Sequence, residues 1–76
     1  VKDLIELISK QLVEHPDDVE VSVIENEDGQ VFELRVNPED MGRVIGKNGR
    51  VAKAVRTLIG SAAAKANVRA TLDIIE

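Results

Sequence analysis

The chain has 76 residues, 43% of them apolar and 32% charged, with no cysteine and a single histidine, His15. That composition suits one small globular domain over 1–76; it excludes disulfides, thiolate or multi-histidine metal sites and cysteine nucleophiles, and no apolar run nears the ~18–20 residues of a membrane span. The formal net charge of −4 speaks against a nucleic-acid partner, yet residues 1–40 hold 3 basic and 12 acidic residues while residues 41–72 hold 7 basic and none acidic. Such a split is the footprint of a polyanion-binding face on an acidic body, or of a dipolar protein with no such partner.

Val1, Leu4, Ile5, Ile8 and Leu12 follow helical spacing, and His15-Pro16 ends that helix, because the residue before a proline is pushed out of the helical region. Val19, Val21 and Val23 alternate with Glu20 and Ser22, as in a half-buried strand. A turn at Asn26-Glu27-Asp28-Gly29 leads to Phe32, Leu34 and Val36, alternating with Glu33 and Arg35, so the pair reads as a hairpin. Asn37 can cap a helix that opens on Pro38, with Glu39 and Asp40 at the positive end of its dipole. Met41, Val44 and Ile45 share one face of this short helix, which breaks at Gly46-Lys47-Asn48-Gly49.

A longer helix is predicted from about Arg50 to Ala66, with Val51, Val55, Leu58, Ile59, Ala62 and Ala66 as its apolar stripe and Asn67 as a left-handed terminator. Val68, Ala70, Leu72 and Ile74 then alternate with Arg69, Thr71 and Asp73 in a third strand. The order α-β-β-α-α-β, with one apolar face per strand, predicts an α+β fold of two layers: helices over one face of a three-stranded mixed sheet, the other face wet.

The chemistry concentrates between Gly42 and Val51. Gly46 can adopt the positive φ that ends a helix, and Gly49 lets the chain turn at once into the next helix. The resulting loop can be approached closely by phosphates, and the free N–H groups at a helix start favour an anion. Lys47 and Arg50 add charge there, with Arg43 and Lys53 nearby. A phosphate-binding nucleotide loop does not fit, because Gly42 and Gly46 enclose three residues rather than four and Asn48 follows Lys47. A plain helix–helix turn needs only the two glycines; four basic residues with no acid among them favour a ligand.

Elsewhere the signals are weaker. His15 reads as an exposed helix-end residue, and Asp17, Asp18, Glu25, Glu27 and Asp28 as turn residues. Ser9, Ser22 and Ser61 have no activating base in view. No catalytic constellation, metal, cofactor or small-molecule substrate is expected. The opening segment is amphipathic rather than secretory in pattern, so cytoplasm is the expected compartment.

With Val44-Ile45-Gly46-Lys47-Asn48-Gly49-Arg50-Val51 in a helix–loop–helix, the chain resembles a KH domain of the bacterial, type II arrangement. The resemblance covers the whole chain, and is greatest to the small stand-alone bacterial KH RNA-binding proteins. It implies single-stranded RNA in a narrow groove, with Gly46, Lys47, Asn48 and Gly49 clamping about four nucleotides. One wall would come from Arg43, Val44, Ile45, Arg50, Val51, Lys53 and Ala54, the other from Val68, Arg69, Ala70 and Thr71. KH grooves are aliphatic, so the shortage of aromatics does not speak against RNA. The resemblance also implies a homodimer or a heterodimer with a larger Jag-like KH protein, an RNA chaperone or post-transcriptional role, and a link to cell-wall homeostasis and cell length. An alternative of another class is a KH-like protein-interaction adaptor with incidental nucleic-acid contacts.

Overall fold

The computed structural model describes residues 1–75. Its elements are helix α1 (Lys2–Leu12), strands β1 (Glu20–Asn26) and β2 (Gly29–Arg35), helices α2 (Met41–Ile45) and α3 (Arg50–Lys65), and strand β3 (Ala70–Ile75). Short 3₁₀ turns occupy Pro16–Asp18, Pro38–Asp40 and Lys47–Gly49. The sheet order is β1-β2-β3, with β1 antiparallel and β3 parallel to β2. This is the mixed three-stranded α+β architecture expected of a type II KH arrangement.

The strand register explains the two layers. Val21 pairs with Leu34, Phe32 with Leu72 and Leu34 with Ile74, so one apolar row crosses the sheet. Val21, Phe32, Leu34, Val36 and Leu72 meet Ile5 of α1, Val44 of α2, and Val55 and Ile59 of α3 in a single core. Burying a side chain such as Ile5, Leu34 or Ile59 contributes about 1.5–3 kcal/mol each. The opposite face carries Ser22, Ile24, Glu33, Arg35, Thr71 and Asp73, and no layer formed by the described residues covers it. Val23 is 42% exposed, so the alternation of β1 overstates how much of it the helices cover.

Three details depart from the periodicity. Helix α1 ends at Leu12, before His15-Pro16, with Val13 already extended. Its deepest positions are Ile5 and Ser9, one turn apart. In α3 the buried line is Ala52, Val55, Ile59 and Ala63, while Leu58 is 54% exposed and Ala66 is exposed. Hydropathy ranks Leu58 above the alanines, but two alanines in that line let the helix lie close to the sheet, and this turns Leu58 outward.

Asp40 does more than favour the dipole of a helix start. It is 1% exposed, and its carboxylate accepts the backbone N–H groups of Glu14 and His15, both at 3.0 Å. A buried carboxylate is tolerable only when so satisfied. The two bonds fasten the link after α1 to the start of α2, and so set the position of the helix that leads into Gly46. Asn37 accepts the N–H of Glu39 at 2.8 Å, which caps the turn that opens on Pro38.

Candidate nucleic-acid interface

The segment between α2 and α3 is a tight, self-closed loop. The Gly46 N–H donates to Gly42 O at 2.9 Å and ends α2. The Gly49 N–H turns back to Gly46 O at 3.1 Å, and the Arg50 N–H donates to Lys47 O. Gly46 has φ 76° and ψ 173°, a combination essentially confined to glycine. Asn48 and Gly49 are both left-handed, at φ 58° and 74°. Asparagine tolerates that conformation better than most side chains. Lys47 and Asn48 consequently stand out into solvent at the loop tip.

The cations beside the loop are uncompensated. Lys47, Arg50 and Lys53 are exposed, and none forms an ion pair among the described residues. They recur every three residues, so they wind gradually around the start of α3. Arg56 continues the series, and its Nε donates to Leu72 O of β3 at 3.2 Å. That bond ties α3 to β3, one of the two edge strands of the sheet. Sequence reasoning passes over Arg56 because its spacing from the glycines marks nothing; the run Lys47, Arg50, Lys53, Arg56 is the signal that could have found it.

The expected wall residues separate into groups. Ile45, 37% exposed, offers apolar surface next to the loop. Val51 is half-buried and lies beneath Gly46. Val44 is 2% exposed and belongs to the core, so it supports the loop without facing a ligand. Ala54 is exposed, but it lies two residues from Arg56 and therefore off the flank that meets β3. Arg43 is engaged by Glu14 in an ion pair, and its Nε is 3.7 Å from Asp40. Its charge is compensated locally, in contrast to that of Lys47.

Arg69 lies at the other end of the molecule. Sixteen residues of α3 extend about 24 Å from the loop, and Arg69 follows the end of that helix. Its carbonyl accepts the Gln30 N–H at 2.8 Å, which holds it beside the hairpin turn. There it lines a surface concavity with Glu25, Glu27 and Asp28, an acidic setting that a phosphate would avoid. Val68, Ala70 and Thr71 share a second concavity near the same end, with Gly60, Ala63 and Ala64. The part of β3 that reaches the basic flank of α3 is instead the edge at Leu72.

His15 is also less free than a helix-end residue need be, with Nε2 3.2 Å from Glu39 Oε2. No group of three or more His, Asp or Glu side chains among the described residues is arranged to hold a metal ion. No helix in this part of the chain is long and apolar enough to cross a membrane.

Comparison with known proteins identifies the family. The family model described as "KhpA/KhpB, KH domain" matches residues 2–74. The RNA-binding protein KhpA of Clostridium acetobutylicum is 53% identical over 75 residues, covering 99% of this chain and 100% of that protein. Its namesake from Clostridium perfringens is 49% identical, with the same coverage. The RNA-binding protein KhpA of Aquifex aeolicus is 46% identical over 76 residues, covering 100% and 96% of the two chains.

Proposed function

We propose that this chain, which belongs to the KhpA/KhpB KH-domain family, binds single-stranded RNA through the Gly46–Gly49 loop. The observation that carries the reading is the exposed loop with uncompensated Lys47, Arg50 and Lys53 beside it. Phosphates rest on the loop, and about four unstacked bases lie along the seam where Arg56 of α3 meets Leu72 of β3. Ile45 supplies apolar contact. The relatives named above as RNA-binding proteins support the substrate class. The protein acts without catalysis, as an RNA chaperone or post-transcriptional regulator in the cytoplasm. Its connection to cell-wall homeostasis and cell length rests on family resemblance alone.

A duplex cannot present unstacked bases. Titration of short labelled RNAs of equal length should therefore show single strands bound more tightly than perfect hairpins. Equal affinity for both would reduce the interface to a nonspecific electrostatic surface. No affinity for either would favour the protein-interaction adaptor.

The same reading includes self-association, or pairing with a larger Jag-like KH protein. A chain this small buries a thin core and has no disulfide to reinforce it. Its helical layer leaves Leu7 59% and Leu58 54% exposed. Sedimentation at roughly 100 µM is expected to show a dimer, and Leu58→Asp to shift it toward monomer with a lower melting temperature, because the stabilisation supplied by association is lost. A clean monomer for the parent would leave only the heterologous partner.

A further inference from the structure

Arg56 reaches from α3 to the edge strand β3. Strand β3 pairs only with β2, and the Leu72 carbonyl that accepts from Arg56 Nε points to the open side. The guanidinium has five N–H donors in a planar fork. One is spent on Leu72, which leaves the two terminal Nη groups, and no carboxylate pairs with them among the described residues. Because Nε is tethered, the fork is already oriented, and a ligand would lose less side-chain freedom in meeting it. Arg56 is six residues past Arg50, about 9 Å further along the helix axis, close enough to meet a nucleotide adjoining one held by the loop.

Lys47, Arg50, Lys53 and Arg56 are all exposed, but among the described residues only Arg56 of the four has its side chain held, by Nε on Leu72 O, while the other three are free to follow phosphate. We infer that Arg56 is a specificity-determining residue that reads one base of the bound RNA through two adjacent acceptors. Guanine offers O6 and N7, and cytosine offers N3 and O2; the edges of adenine and uracil place a donor beside each acceptor. The inference rests on the RNA-binding reading above, and it adds a base preference to a loop that by itself contacts only the backbone.

The test uses fluorescence anisotropy with uridine octamers in which each position in turn is replaced by guanosine, cytidine or adenosine. For the parent, one position should favour guanosine or cytidine by about tenfold over adenosine and uridine; which of the two wins identifies the edge being read. Arg56→Gln should erase that preference, bringing the favoured octamer down about tenfold, level with the octamers that carry adenosine or uridine at that position. Arg56→Lys should retain the parent's salt dependence and still lose the preference, because a lysine cannot form the planar pair. Uniform weakening across all octamers, with the salt slope lowered by about 0.7, would make Arg56 a phosphate contact and overturn the inference. A lowered melting temperature with the preference intact would make it only a strut between α3 and β3, and would overturn it too. If the parent binds none of the octamers, the RNA-binding reading itself falls; if it binds them and loses them on changing Lys47 and Asn48, that reading stands whatever Arg56 does.

Discussion

Replacing Lys47 and Asn48 together by aspartate is expected to abolish RNA binding while the protein melts like the parent. Both side chains are exposed at the tip of the loop, and neither contributes to the core. The change converts one positive and one neutral side chain into two negative ones, where phosphate is proposed to rest. Repulsion is thereby added to the loss of an attractive contact. Each phosphate neutralised by lysine or arginine releases about 0.7 counterion from a single strand. Loss of Lys47 alone should accordingly flatten the dependence of affinity on salt. The backbone has little reason to object. Asn48 is left-handed at φ 58°, and aspartate visits that region nearly as readily. Surface changes of this kind usually fall within about 0.5 kcal/mol. Circular dichroism melting and anisotropy across a salt series check the two halves of the expectation. A folded double variant with parental affinity would remove the loop from the interface.

Gly46→Ala should damage the fold itself, and Gly49→Ala should not do so to the same degree. A Cβ on Gly46 would lie 2.4 Å from Val51 Cγ2 and 2.8 Å from both Val51 Cβ and its backbone nitrogen. The clash is with the first turn of α3, so relief requires the loop to open or the helix to move. The φ of 76° with ψ 173° is a further obstacle, costing on the order of 1–3 kcal/mol for a side chain. Strain and overlap together should remove at least about 2 kcal/mol. In a domain this small that lowers the melting temperature by roughly 10 °C or more. Gly49 differs in kind: nothing lies within 4 Å of where its Cβ would be. Only the left-handed conformation is penalised there, by roughly 1–2 kcal/mol. Thermal and urea melts of the two variants should rank them in that order. A Gly46→Ala protein as stable as the parent would mean that the loop is not built as described.

Local residue patterns were enough to locate the loop. A helix cannot continue through Gly46-Lys47-Asn48-Gly49, and alternation in Phe32, Leu34 and Val36 specifies a strand with one buried face. The glycine signature and the acid-free run from Met41 to Leu72 also favour a polyanion as ligand. Those features depend on neighbours three or four residues apart, so they can be read along the chain.

Which cations are free depends on partners far away in sequence. Arg43 and Lys47 look alike in the motif, but the fold brings Glu14, 29 residues distant, against Arg43 and gives Lys47 no ion-pair partner among the described residues. Arg69 belongs to the basic stretch by sequence, yet the length of α3 carries it away from the loop and sets it beside acidic Glu25, Glu27 and Asp28. Val44 lies inside the signature and points into the core. Arg56 lies outside the signature and meets the edge of β3 through a bond that spans 16 residues. The order of elements, the loop and the sign of its charge follow from propensity, turn chemistry and composition, which act locally. Which side chains gather beside the loop and β3 follows from long-range pairing and burial, set by the packing of α1, α3 and β3 around one core.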